Sequence, residues 1–468
     1  MTPATTPAPV PVPAPAPAPA ASAPRTELVR TLAVVAIGLG IVSIYAFPGF
    51  MAYDSLDQLQ QARDGTLTDW HPPLMSAIWG LLDRAVPGAL TMLVLQCGLV
   101  LAGLHVLLRR RMSPRRAAVL TLVIFAFPPN LTMFAVVLKD SLMCGALLAG
   151  IAALTSEDRR WRLASLVLFA LAAGLRYNAV AVVVPLLAWL SPWPRTRPGG
   201  APAGPLLRAA AGVVIGLAVT AAAWGANRAL TDVKTHPFHT SVAPMDYVGT
   251  LYFADPLTDD EVRALLAGVP LRPAGDLQAN ASALYDPLRW WGGLIRGPGR
   301  LFDEPLTPEA RAAITAGWWR LVREHPGAYL ASRADMFREL VGLTDSSFTP
   351  VYAAGHERSM LRAVAHPARP RNVVQKWLSR RMTRLGATSL IFRPYVYLVI
   401  ALALAIVLRR DRLVLALIAS AFANLALLFV ASPSPDIRYI HWAMVVAMIG
   451  LAIRLFGARP APAAAATS

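Results

Sequence analysis

The residues best suited to chemistry lie in one short polar stretch, YDSLDQLQQARDGTLTDWHPPL, at positions 53–74. Aliphatic residues and alanine dominate both of its flanks. A carboxylate or an imidazole can act as the general base that takes a proton from a hydroxyl group. Grouped carboxylates are costly beside apolar surroundings unless water or a ligand compensates their charge. The titratable acids and histidine of this stretch are Asp54, Asp57, Asp64, Asp69 and His71.

Three cations occur in other short polar connections of the chain. Lys139 lies in LKDS, Arg176 in LRYN and Arg438 in SPSPDIRYIHW. Such side chains can stabilise the negative charge that develops on a departing phosphate group. The sequence therefore contains both a candidate base and candidate phosphate ligands, provided that the fold brings them together.

The composition predicts a polytopic membrane protein. The 468-residue chain is 56% hydrophobic and only 15% charged, with a mean hydropathy of +0.49. Such a chain is too apolar for a water-soluble protein. We therefore predict an all-α fold with about ten transmembrane helices. The apolar segments are 28–48, 89–108, 117–137, 141–156, 162–175, 179–192, 205–225, 386–408, 412–431 and 439–456.

Composition shifts divide the chain into five parts. The Pro/Ala-rich residues 1–26 and the last residues, 457–468, are predicted to be disordered tails. Between them we expect an N-terminal membrane core at 27–225, an insertion at 226–385 and C-terminal membrane helices at 386–456.

The insertion contains enough Trp, Leu and Tyr to form a small, mostly helical domain. One long helical pattern in it is predicted to break near His325, because Pro326 disfavours helix in the residue before it. A second segment, RNVVQKWLSRRMTRLG at 371–386, predicts a basic helix at the membrane interface. Such a helix could attract anionic lipid-linked molecules or serve as a plain surface anchor.

Arginine-rich connections alternate with the polar ones described above. They lie at 109–116, 157–162, 192–200 and 409–412. The positive-inside rule places these four connections and both termini in the cytoplasm. The acidic stretch, the LKDS and LRYN turns, the insertion and the segment around Arg438 then share the outer face. We therefore expect a multi-pass protein of the cytoplasmic (inner) membrane with its site facing the exterior.

Each polar residue also has a purely structural interpretation. Asp54 and Asp140 could cap helices, and Asp64 could be a turn residue. Arg176 and Arg438 could simply extend to the membrane interface. Capping explains one acid at a time, however, and leaves the joint placement of the acids and His71 unexplained.

Other ligand classes have less support in the sequence. The net charge of +17 does not form one continuous basic patch interleaved with aromatics, so we expect no nucleic-acid partner. Cys97 and Cys144 show no spacing typical of a disulfide or zinc site. No cofactor is certain, although the carboxylates could hold a divalent cation such as Mg or Mn.

The chain resembles the GT-C superfamily of polytopic membrane glycosyltransferases. The likeness is carried by an acid just after the first apolar segment, by WHPPLMSAIWGLL at 70–82, by the Lys139–Asp140 pair and by the long outer insertion. It covers most of residues 28–455 and is nearest to the protein mannosyltransferase and aminoarabinose transferase branch. The sequence has DSLD at 54–57 where the family has an adjacent acidic pair.

This resemblance implies transfer of a sugar from a polyprenyl-phosphate donor to a protein, glycolipid or cell-envelope glycan. It implies Asp54 as the base or acceptor-orienting group, with Asp57 and His71 beside it. Lys139, Arg176 and Arg438 would bind the donor phosphate, in contact with membrane lipids. The residues expected to shape the acceptor and sugar pocket are Asp69, Trp70, Asp140, Tyr177 and Asn178.

Two other functions stay open at this point. A transporter or lipid flippase would need charged residues near the bilayer midplane and internal repeats, and the sequence shows no repeat. A lipid-linked oligosaccharide ligase or polymerase is also polytopic with a large outer loop. It would need an essential Arg/His pair in that loop.

Overall fold

The computed structural model describes residues 24–194, 203–272, 277–288, 306–344 and 371–457, together with 196, 294 and 300–302. Apart from isolated β-bridges, every regular element in these ranges is helical, which confirms the all-α prediction. The predicted disordered tails, except residues 24–26 and 457, lie outside the described residues.

The described residues form the following α-helices, given in chain order. Those of the N-terminal half are α1 (Pro24–Ala46), α2 (Tyr53–Asp64), α3 (Leu74–Ala85), α4 (Leu90–Arg109), α5 (Pro114–Ala126), α6 (Pro128–Phe134), α7 (Lys139–Leu154), α8 (Arg159–Leu175), α9 (Val180–Leu190) and α10 (Pro205–Leu230). Those of the remainder are α11 (Ala243–Phe253), α12 (Asp259–Leu265), α13 (Leu277–Leu284), α14 (Pro308–Glu324), α15 (Pro326–Val341), α16 (Val373–Thr388), α17 (Pro394–Val407), α18 (Arg412–Ala431) and α19 (His441–Phe456).

Within the described ranges, four helices are long and apolar enough to cross a bilayer: α1, α4, α10 and α18. The pair α5 and α6 would add a fifth if it forms one span. Helices α9, α17 and α19 are apolar but shorter than the roughly 20 residues that a perpendicular crossing needs. The chain thus has the helices of a membrane protein, whereas the predicted ten spans are not confirmed.

Two predicted segments have different boundaries in the structure. The segment 117–137 is not one helix, because α5 and α6 meet at Phe127 with a bend of 73°. Phe127 has φ −58° and ψ 130°, as expected for a residue that precedes proline. The segment 386–408 is also divided, since α16 continues to Thr388 and α17 begins only at Pro394. The break predicted near His325 is confirmed between α14 and α15.

Two large hydrophobic clusters, and a small third one formed by Leu340, Leu428 and Tyr439, hold the described helices together. The larger one includes residues of α1, α4, α7 and α19. Helices α4 and α7 approach so closely that a Cβ on Gly103 would lie 2.4 Å from the backbone nitrogen of Ala149. The smaller cluster belongs to the insertion and centres on residues such as Tyr247, Leu251 and Ile314. The insertion therefore has a core of its own.

Two of the basic connections contact each other, and each also contacts a neighbouring helix end. Arg111 pairs with Asp411 at 2.9 Å, and Arg109 pairs with Glu27 at 3.0 Å. Arg412 donates a hydrogen bond to the Trp189 carbonyl at 3.0 Å. The Arg111–Asp411 pair joins two of the four connections that the sequence groups together, while the side of the membrane that they face stays a prediction.

Candidate functional site

Backbone hydrogen bonds between two distant segments set the geometry of the site. The amide of Phe50 donates to the Ala135 carbonyl at 2.9 Å, and the amide of Val137 donates to the Phe50 carbonyl at 2.9 Å. Phe50 lies just before α2, and Val137 lies just before α7. This pairing brings the first turns of the two helices together, and with them Asp54 and Lys139.

The Asp54 carboxylate is the centre of a cluster of side chains from three separate polar segments of the chain. Its Oδ2 atom lies 2.5 Å from Lys139 Nζ and 2.5 Å from Arg438 Nη1. Its Oδ1 atom lies 3.5 Å from His71 Nε2. Lys139 is almost fully buried, whereas the side chains of Asp54, His71 and Arg438 are 16%, 13% and 12% exposed. The cluster is therefore largely enclosed, with three of its four side chains partly exposed.

Charge and burial act in opposite directions on this carboxylate. Burial alone would raise the pKa of the Asp54 carboxyl. Its neighbours Arg438, His71 and Lys139 outweigh burial and hold that pKa well below its usual range. Asp54 is therefore firmly ionised in this arrangement.

His71 is the uncharged member of the cluster. Burial lowers the pKa of His71, against the opposing pull of Asp54. Its Nδ1 atom lies 3.2 Å from Lys139 Nζ, which can only donate. Nδ1 must therefore accept, so the ring proton is assigned to Nε2, which faces Asp54. In this tautomer His71 is a donor toward the carboxylate.

A second layer of charges surrounds Asp54 and its partners. Arg176 Nη1 lies 3.3 Å from Asp140 Oδ1, and Arg438 Nε lies 2.9 Å from Asp436 Oδ2. Both guanidinium groups stack on the Tyr439 ring, with Cζ to centroid distances of 4.6 and 5.1 Å. The three predicted phosphate ligands thus lie in one network with three carboxylates.

Amide side chains orient Arg176 from the other side. Arg176 Nε donates to Asn178 Oδ1 at 3.1 Å, and Asn178 Nδ2 donates to Asn424 Oδ1 at 2.7 Å. Asn424 Nδ2 in turn donates to the Tyr439 carbonyl at 3.2 Å. This chain of hydrogen bonds connects the LRYN turn to α18 and to the segment that carries Arg438.

The other predicted pocket residues connect the site to the insertion. Asp69 Oδ1 accepts hydrogen bonds from the backbone amide and the hydroxyl of Thr235, the latter at 2.8 Å. Tyr177 donates its hydroxyl to the Asp69 carbonyl at 2.9 Å. Trp70 packs against the hydrophobic cluster of the insertion. These residues therefore border the Asp54 cluster and fix the insertion beside it.

The remaining acids of the opening stretch have local partners. Asp57 Oδ2 accepts a hydrogen bond from Gln61 at 2.7 Å, and both Asp64 oxygens accept from Gln60 at 2.7 Å. Asp57 is close enough to His71 to exert a small upward influence on its pKa, which burial lowers. Asp64 is exposed at the end of α2.

The structure excludes capping as the role of Asp54 and Asp140. Ala52 is the N-cap residue of α2, and Leu138 is that of α7. Asp54 and Asp140 therefore lie inside the first turn of their helices, with side chains directed to cations. Their negative charge still complements the helix dipole there.

A divalent cation does not suit these residues. In the described part of the chain, no three His, Cys, Asp or Glu side chains converge in an arrangement that could hold a metal ion. Lys139 and Arg438 already occupy Asp54 Oδ2, and a nearby dication would repel both of them.

Four residues of the site were not predicted from the sequence as candidates. They are Thr235, Asn424, Asp436 and Tyr439, as described above. Asp436 and Tyr439 flank Arg438 in SPSPDIRYIHW, so their proximity was readable from the motif. Asn424 lies in the middle of an apolar segment and Thr235 lies in the insertion, and neither position carries a local signal.

Comparison of the chain with models of known families, with curated proteins and with solved structures gave no match in any of the three.

Proposed function

We propose that this chain is an integral membrane glycosyltransferase that moves a sugar from a polyprenyl-phosphate donor to an acceptor hydroxyl on the outer face. The observation that supports it best is the convergence of Asp54, His71, Lys139 and Arg438 in one partly open cluster. A base and phosphate ligands must act on the same sugar, so they need to lie within a few ångströms of each other.

The charges of the network favour an exchange of partners when the donor binds. The carboxylates of Asp54, Asp140 and Asp436 balance the three cations. A donor phosphate would take Lys139 and Arg438 away from Asp54, because the phosphate offers more negative charge and more acceptor oxygens. Without those cations the proton affinity of Asp54 rises, which prepares it to act as a base.

The reaction then balances in one step. The acceptor oxygen forms a bond to the anomeric carbon, and the bond between that carbon and the phosphate oxygen breaks. The acceptor proton moves to Asp54, and the polyprenyl phosphate leaves between Lys139, Arg438 and Arg176. Protonation of Asp54 offsets the charge that the phosphate brings into this enclosed cluster. Attack opposite the leaving group inverts the anomeric centre.

The test is transfer of radiolabelled sugar from a mixed pool of polyprenyl-phosphate sugars in membranes that contain the wild-type protein or Asp54→Asn. We expect the variant to lose at least about 100-fold in initial rate, which is typical for removal of a general base. Asp64→Asn, in the exposed last turn of the same helix, is the matched control and should keep full activity.

Folding has to be compared in the same samples, because Asp54→Asn leaves Lys139 and Arg438 without their shared anion. Size-exclusion profiles and expression levels of the two variants provide that comparison. Equal transfer by wild type and Asp54→Asn would remove Asp54 from the mechanism. Absence of transfer in both, with a working positive control enzyme, would argue for a flippase or a ligase instead.

A further inference from the structure

Helix α16, Val373–Thr388, has one narrow face in contact with the rest of the protein. Its buried residues, Gln375, Ser379, Met382 and Gly386, recur at the spacing of one helical stripe. Gln375 Nε2 donates to the Phe47 carbonyl at 3.2 Å, at the end of α1. The helix therefore lies at the same end of α1 as the connection that leads to Asp54.

The opposite side of α16 carries a concentration of positive charge. Lys376, Arg380, Arg381 and Arg384 are all exposed. Residues 371–388 contain no Asp or Glu. In the ranges that the structure describes, no carboxylate forms an ion pair with these four cations. Their charge is thus available to an external anion.

Apolar side chains accompany these cations on the exposed surface. Val373, Val374 and Trp377 are 79%, 51% and 49% exposed. The guanidinium group of Arg381 lies over the Trp377 ring at 5.5 Å. With roughly 3.6 residues per turn, Val374 and the half-buried Leu378 lie on one flank of the buried stripe, and Lys376 and Arg380 lie on the other. The first flank is apolar and is poorly hydrated, whereas the second flank is charged and is well hydrated.

We propose that α16 is a docking surface for the headgroups of anionic phospholipids, with its apolar flank inserted between acyl chains. The occupant follows from charge complementarity, because cations without acidic partners beside exposed aliphatic and Trp side chains match a negatively charged lipid surface. The inference is independent of the proposed sugar transfer, since it requires neither donor nor acceptor.

The test uses the full-length protein in phosphatidylcholine nanodiscs that contain a minor fraction of brominated lipid. Bromine quenches nearby tryptophan, and the difference between wild type and Trp377→Phe isolates the emission of Trp377. We expect brominated phosphatidylglycerol to quench this emission at a much lower fraction than brominated phosphatidylcholine. In Arg380→Gln/Arg384→Gln that preference should fall by roughly 30-fold, about fivefold for each cation.

Two further variants separate charge from structure. Arg380→Lys/Arg384→Lys keeps the charge and should retain the preference for phosphatidylglycerol. Arg263→Gln/Arg323→Gln removes two exposed cations of the insertion and should leave the Trp377 signal unchanged. Equal quenching by the two brominated lipids would overturn the selection of anionic headgroups. Absence of quenching by either lipid would show that α16 does not enter the bilayer.

Discussion

Two carboxylates of this protein lie at the same distance from an arginine. They differ in their exposure, in their other partners and in the direction in which their pKa is shifted. Asp54 Oδ2 lies 2.5 Å from Arg438 Nη1 in the candidate site, and Asp246 Oδ1 lies 2.5 Å from Arg333 Nη2 in the insertion. Asp54 shares Arg438 with Asp436 and is 16% exposed, whereas the Asp246 and Arg333 side chains are 2% and 1% exposed.

The surroundings of Asp246 close that pair completely. Trp318 Nε1 donates to its second oxygen at 2.8 Å, and Arg333 Nη1 donates to the Ser432 carbonyl at 2.7 Å. Burial raises the pKa of the Asp246 carboxyl in spite of Arg333. The contrast separates a partly exposed network of several charges from an enclosed pair that fastens the insertion to the segment after α18.

The largest effect is expected from removing the arginine of each site. Arg333→Gln leaves a buried carboxylate without its partner and should lower the free energy of unfolding by about 3–5 kcal/mol. Arg438→Gln should cost only about 1–2 kcal/mol, because Lys139 still compensates Asp54. Denaturant titrations in detergent micelles measure both values.

Replacement of both members of each ion pair tests the same comparison more strictly. Asp246→Leu/Arg333→Met should recover most of the stability that Arg333→Gln loses, since an apolar pair can substitute for a sealed ion pair. Asp54→Leu/Arg438→Met should not recover in this way, because Lys139 stays buried without its anion. Equal losses for Arg333→Gln and Arg438→Gln would mean that the two sites do not differ as described.

An intermediate effect is expected from pH. The pKa of Asp54 is lowered by folding, so its contribution to stability is full above the unfolded value of about 4 and is lost as the pH falls through the folded pKa. The pKa of Asp246 is raised by folding, so its contribution decreases as the pH rises from about 4 to the folded pKa.

Thermal midpoints between about pH 3 and 7 can separate the two contributions. Relative to wild type, Asp54→Asn should show a smaller loss of stability on acidification. In the wild type, Asp246 should lower the stability as the pH rises above about 4, and Asp246→Asn should not show this loss. The same pH profile for both variants would contradict the opposite signs of the two shifts.

The smallest effect is expected where the site meets the insertion. Thr235→Val removes the hydroxyl donor to Asp69 and keeps the backbone donor. It should cost about 1 kcal/mol of stability. A double-mutant cycle with Asp69→Asn measures the coupling between the two side chains. A coupling energy near zero would show that this contact does not help to hold the insertion in place.

The sequence predicted the proximity of the candidate site residues better than the bounds of the helices that carry them. Basic and acidic connections alternate along the chain, and each predicted apolar segment crosses from one end of the helices to the other. This alternation placed Asp54, Lys139, Arg176 and Arg438 at the same end. Burial and pairing of Asp54 could not be read in this way, since its partner Arg438 is 384 residues away.

Helix boundaries were harder to predict where prolines interrupt apolar runs. Hydropathy does not distinguish α5 followed by α6 from one continuous span, although Pro128 marks the break. Asn424 illustrates a second limit, because a single amide in an apolar segment reveals its role only through partners on other helices.

The paired backbone segments before α2 and α7 constrain how this sequence can change in length. Only three residues separate Phe50 from Asp54, and one residue separates Val137 from Lys139. An insertion of one residue in either segment would add up to about 3.5 Å of chain between the paired backbone and the charged side chain, which is enough to disturb the contact of Asp54 with Lys139. Related chains are therefore expected to align without gaps in these two segments.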